Sequence, residues 1–63
     1  PRVPGMNAAL VQLATSGRYS RAGLAHAAAD AVTDATGKPW RMAFRPRTRT
    51  DSTPFTIEES SDA

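Results

Sequence analysis

Between residues 36 and 40 the hydrophobic pattern changes its period, and that switch constrains the fold more than any other feature of the chain. Before it, Leu24, Ala27, Ala28, Ala31, Val32 and Ala35 recur at i, i+3, i+4, i+7, i+8 and i+11, one apolar stripe at helical spacing. After it, Trp40, Met42 and Phe44 alternate with Arg41, Ala43 and Arg45, the pattern of a strand with one buried face. Gly37 stands where a left-handed residue closes a helix, and Pro39 stops the helix from continuing. A chain patterned in this way is neither all-helical nor all-β.

The flanking segments complete an α+β plan. Ser20 reads as the N-cap of the long helix, which runs to about residue 36. Asn7 reads as the N-cap of a shorter helix over 8–15, carrying Leu10, Val11, Leu13 and Ala14, with Gly17 as its exit. Pro46 ends the first strand, because a central strand cannot lose an amide donor. Phe55 and Ile57 alternate with Thr56 and Glu58 in a second strand, after the turn-forming Asp51-Ser52-Thr53-Pro54. Antiparallel pairing would bring Arg41 or Arg45 to Glu58. The expected organisation is one small domain over 1–63: an extended arm at 1–6, a helical pair at 7–37, a β-hairpin at 38–59 and an acidic tail at 60–63. The expected core is Leu10, Leu13, Leu24, Ala28, Ala31, Val32, Trp40, Met42, Phe44, Phe55 and Ile57. Twelve of the 63 residues are alanine, so that core is small in volume.

Size limits what the chain does alone. A domain of this length buries only ~60% of its unfolded surface, and it contains no cysteine for disulfides or thiolate metal sites. One histidine leaves little for zinc. No catalytic pocket, metal or cofactor is expected. No apolar run approaches the ~20 residues of a membrane span, and no basic-then-apolar leader marks secretion. Pro1 fits a cytosolic start after removal of an initiator methionine, and equally an imposed boundary. The expected location is a virion or the cytoplasm.

Charge is segregated. Residues 38–49 hold Lys38, Arg41, Arg45, Arg47 and Arg49 and no acid, whereas residues 50–63 hold Asp51, Glu58, Glu59 and Asp62 and no base. Such blocks pair with each other or with partners. Arginines interleaved with Trp40 and Phe44 would suit a nucleic-acid platform. Strict alternation instead puts the aromatics on the opposite face and leaves the arginines for water, an acidic protein surface or the chain's own tail. With Glu58 and Glu59 nearest Arg41 and Arg45, the expected free anchors are Arg47 and Arg49.

Two other patterns carry less. Helix, glycine turn and helix over 7–36 suggest a DNA reader, but the outer face expected for the second helix (Arg21, Ala25, His26, Ala29, Asp30 and Thr33) offers no Asn, Gln or Lys; two aspartates would face phosphates, and alanines read no base edges beyond thymine methyls. His26, Asp30 and Asp34 share one helical face, yet the first and last stand about 12 Å apart at ~1.5 Å per residue, too far for one ion. A solvated face with a His–Asp hydrogen bond is the expectation there.

The alanine-rich helix followed by Asp34-Ala35-Thr36-Gly37-Lys38-Pro39-Trp40-Arg41 and a strand resembles tail-completion and head–tail joining proteins of tailed bacteriophages. The resemblance covers about residues 22–45; an alanine separates Asp34 from Thr36, and the usual later strands are missing. It implies a virion structural component without an active site. The sequence therefore points to a non-catalytic subunit, such as a minor capsid or head–tail connector protein, that binds an acidic surface of larger protein subunits through its basic strand and terminal arms, with homo-oligomerisation as a further option. A small nucleic-acid-binding or transcription-accessory protein is the alternative.

Overall fold

The computed structural model describes residues 8–60. The expected arm at 1–6, the Asn7 cap and the tail beyond Ser60 lie outside the described residues. The chain is a small α+β domain of two helices and a hairpin, in the order α1 (Ala8–Ser16), α2 (Ala22–Thr36), β1 (Trp40–Phe44) and β2 (Phe55–Glu59). Gly37 closes α2 with φ +74°, and its amide donates to the Thr33 carbonyl at 2.9 Å. This is the left-handed closure that glycine adopts without a Cβ penalty. The Thr33 hydroxyl then accepts from the Trp40 amide at 2.9 Å, tying the helix end to the first strand residue.

Ser20 does not cap α2. The capping position is Arg21, in extended conformation and without a side-chain cap bond. The chain needs those residues for another purpose, because Tyr19 lies alongside Phe55 as a short antiparallel bridge. Its amide donates to the Phe55 carbonyl at 2.7 Å, and the Phe55 amide returns the bond at 3.1 Å. Gly17, expected as a helix stop, keeps a negative φ. What it supplies is space, since a Cβ there would lie 3.0 Å from the Leu13 carbonyl. The Tyr19 hydroxyl donates to the Ala14 carbonyl at 2.9 Å and so satisfies one of α1's terminal acceptors.

β1 and β2 pair antiparallel, with Arg41 opposite Glu58, Met42 opposite Ile57 and Phe44 opposite Phe55. The buried core is Ala25, Ala29, Val32 and Ile57, with Val11, Ala14, Tyr19, Ala28, Trp40, Met42 and Phe55 packed against it. Val32 and Ile57 thus sit where the pattern put them, and Ala28, Trp40, Met42 and Phe55 support them. Ala31 is half-buried.

Four expected core residues are at the surface. Leu13, Leu24 and Phe44 are 67, 52 and 62% exposed, and Leu10 is also exposed. For α2 the correction is a rotation: Ala25 and Ala29, assigned above to the outer face, are buried, while Leu24 and Ala27 are not. Alanine surrounds so much of this helix that its apolar sector is wider than the surface a two-stranded sheet can cover. The sheet settles on the smallest side chains, where backbones approach most closely. Leu24, the one large residue of the stripe, is left at the rim. In α1, Val11 and Ala14 turn inward at i, i+3, which places Leu10 and Leu13 on the flanks. Phe44 ends its strand and covers Phe55, with ring centroids 5.3 Å apart and planes tilted by 57°.

Overpacking a filled core costs ~1–3 kcal/mol, whereas exposed changes stay within about 0.5 kcal/mol. Ala25→Leu and Ala29→Leu should therefore lower the thermal midpoint clearly, and Ala27→Leu should leave it nearly unchanged. Equal effects in circular-dichroism melts would contradict the observed face.

Candidate interaction site

The basic block is split by the two acids that meet it. On the open face of the hairpin, Arg41 and Glu58 stand directly across the strands. One Glu58 carboxylate accepts from Arg41 Nε at 2.9 Å and from Arg45 Nη2 at 2.6 Å. One negative charge between two guanidiniums leaves this ridge net positive. The hydrogen bonds from Arg45, then from Arg41, hold the Glu58 pKa below the usual carboxylate range. Glu59 lies opposite Trp40 and makes no ion pair among the described residues.

The second acid organises the loop between the strands. Asp51, whose side chain is 4% exposed, accepts from the Arg47 amide at 3.0 Å and the Thr53 amide at 2.9 Å. Arg18 Nη2 donates to the same carboxylate at 2.8 Å, and the Thr53 hydroxyl at 3.2 Å. The two backbone donors, then Arg18, drive the Asp51 pKa far below its ordinary value. Arg18 also reaches the Thr53 carbonyl with Nε at 3.0 Å and the Arg45 carbonyl with Nη2. A planar guanidinium serves three acceptors at once, which lysine's point charge does not match.

Arg47 is therefore not the free anchor expected of it. Its amide and, at 3.6 Å, its Nε are engaged by Asp51, while much of its guanidinium stays exposed. Arg49 and Lys38 are exposed and make no ion pair among the described residues. Trp40 is half-buried against the core, with its indole Nε1 buried and without a hydrogen-bond partner among the described residues. It offers no stacking platform. Arg18 and Tyr19 were missed as organising residues, because isolated polar residues in a four-residue turn carry no periodic signal. The acidic Asp51 followed by Thr53 and Pro54 was the readable half of that contact.

The remaining patterns resolve simply. His26, Asp30 and Asp34 are all exposed on α2, and no hydrogen bond joins them. Among the described residues no group of three His, Cys, Asp or Glu could hold a metal ion. With Ala25 and Ala29 buried, α2 turns His26, Asp30 and Asp34 to solvent, a face poorly suited to lie against phosphates. No helix is long and apolar enough to cross a membrane among the described residues. No family model, curated protein or solved structure matches the chain.

Both carboxylates have folded pKa values below their unfolded ones. Their stabilisation is complete above the unfolded pKa of ~4 and is lost as pH falls through that value toward the folded ones. The thermal midpoint should therefore begin to drop as pH falls below about 5 and should keep falling below about pH 3, because the folded Asp51 pKa lies far under the unfolded one. In Asp51→Asn the midpoint should already be lower at pH 7 and the acid drop shallower. Parallel pH profiles for the two proteins would contradict the Asp51 assignment.

Proposed function

We propose that this chain is a non-catalytic structural or accessory subunit of a larger assembly and binds neighbouring protein subunits through its basic hairpin. The observation that carries this reading is the balance of apolar residues. Among the described residues only Ala25, Ala29, Val32 and Ile57 are buried, while Leu13, Leu24 and Phe44 are more than half exposed. A chain that leaves large apolar side chains exposed around so small a core gains stability by covering them. The resemblance of residues 22–45 to phage tail-completion proteins makes a virion the first assembly to test. An acidic protein surface suits the exposed Arg41, Arg45, Arg47 and Arg49, with Lys38 at the strand's start. Nucleic acid suits them less. Glu58 and Asp51 already occupy part of the block, and neither Trp40 nor α2's acidic face favours stacked bases or phosphates.

The test is hydrodynamic size, measured for the isolated chain and in native extract. The expected result is a weakly stable or self-associating species alone and a much larger species in extract. A small monomer in both, melting cooperatively above ~65 °C at any concentration, would contradict the reading. Retention on random duplex DNA that falls steeply with salt would favour nucleic-acid binding instead.

A further inference from the structure

We propose that the outer edge of β1 is a strand-addition site for an acidic, extended segment of a partner protein. This rests on the reading above and specifies its mode and chemistry. In an antiparallel ladder the residues that exchange backbone bonds with the neighbouring strand alternate with residues whose groups point away. The Arg45 amide donates to the Pro54 carbonyl at 2.7 Å, and the Ser60 amide donates to the Pro39 carbonyl at 2.9 Å. Arg41 and Ala43, of the same parity, therefore turn their backbone groups toward β2. Trp40, Met42 and Phe44 turn theirs outward.

The other edge of the hairpin obeys the same parity. Phe55 points outward there, and Tyr19 takes both its backbone groups. The β1 edge is not closed in this way. Thr33 takes the Trp40 amide, and no other hydrogen bond among the described residues reaches the outward groups of Met42 or Phe44. Phe44, at the open end, is 62% exposed. Natural edges are blunted by charge or proline, and here Pro46 limits the free stretch to a few residues. An incoming segment would bond to Met42 and Phe44 and lay an apolar side chain beside the Phe44 ring.

Charge identifies the occupant. Residues of the added strand that lie beside Arg41, Ala43 and Arg45 meet a face where one carboxylate is shared by two arginines, themselves about half or more exposed. Carboxylates at alternate positions complement that face. A second copy of this chain does not. The register that uses both free residues of each edge pairs Met42 with Phe44, and it sets Arg41 of each copy opposite Arg45 of the other. Like charges directly opposite destabilise a sheet.

The experiment uses the 63-residue chain and a heptapeptide of alternating Glu and Val. Backbone amide shifts and exchange rates are followed by NMR. Three companion probes are the same peptide N-methylated at alternate residues, a Lys/Val peptide and the protein alone across a concentration series. The expected result is downfield shifts and slowed exchange at the Met42 and Phe44 amides with the Glu/Val peptide. N-methylation should weaken binding about tenfold or more, since two backbone hydrogen bonds to the strand edge are lost. The Lys/Val peptide should not bind. Equal binding of the N-methylated peptide, with shifts confined to Arg47 and Arg49, would overturn strand addition while leaving the interaction reading intact. Tight binding of the Lys/Val peptide, no binding of any peptide, or self-pairing at Met42 and Phe44 would overturn the proposal. Failure of the broader reading shows separately, as a small free species in native extract.

Discussion

A two-stranded hairpin is marginal in water by itself, and one whose strands are joined by a ten-residue connection loses further entropy on closing. The Asp51 carboxylate supplies what the connection lacks. It gathers the Arg47 and Thr53 amides into a local turn and then binds Arg18 from between the helices. Arg18 in turn fastens both sides of the loop, through the Arg45 and Thr53 carbonyls. One residue later, Tyr19 adds its own backbone to β2. Helices and hairpin are thus joined by polar groups at one end of the sheet and by a thin apolar core beneath it. With so little apolar volume buried, the polar junction decides how the two halves meet.

That division explains what was legible in the sequence. The switch of period at Gly37 announced α2, β1 and the junction between them, because alternation, a left-handed glycine and a proline are each enforced by backbone sterics. The Arg41–Glu58 and Arg45–Glu58 pairs followed from charge and register together. The rotation of α2 was not legible. A helix with alanine on most sides has no sharp apolar direction, and the single leucine at position 24 pulled the expected stripe toward itself. Packing favoured close approach over bulk, and Ala25 and Ala29 went inside. Phe44 misled in a similar way, since alternation gives the face of a residue but not where a helix ceases to cover it. The Arg18 junction is non-local, spanning 33 residues to Asp51, and nothing at either end marks the other.

The same arrangement shapes the surface. Glu58 and Asp51 draw Arg41, Arg45, Arg18 and Arg47 into internal pairs, so the basic block is partly neutralised and held in position rather than left to repel itself. The exposed Glu58 pairs contribute little to stability, and their orientation matters more than their energy. The chain presents a positive ridge beside a strand edge that is unpaired at Met42 and Phe44 among the described residues, with an exposed aromatic ring at its end. All three lie on the hairpin, whose loop end the Arg18 and Tyr19 contacts hold. The surface proposed above for binding other proteins is thereby supported by the contact that completes the fold.

The central claim is that the Arg18–Asp51 contact and the Tyr19–Phe55 bridge form one junction. Native-state hydrogen exchange tests it most directly. In the wild-type chain the Tyr19 and Phe55 amides should exchange as slowly as the Arg45 and Ser60 amides of the hairpin. In Arg18→Ala, protection at Tyr19 and Phe55 should fall while the amides in the middle of α2 keep most of theirs. Fast exchange at Tyr19 and Phe55 in the wild type, or unchanged protection there after Arg18→Ala, would contradict the account.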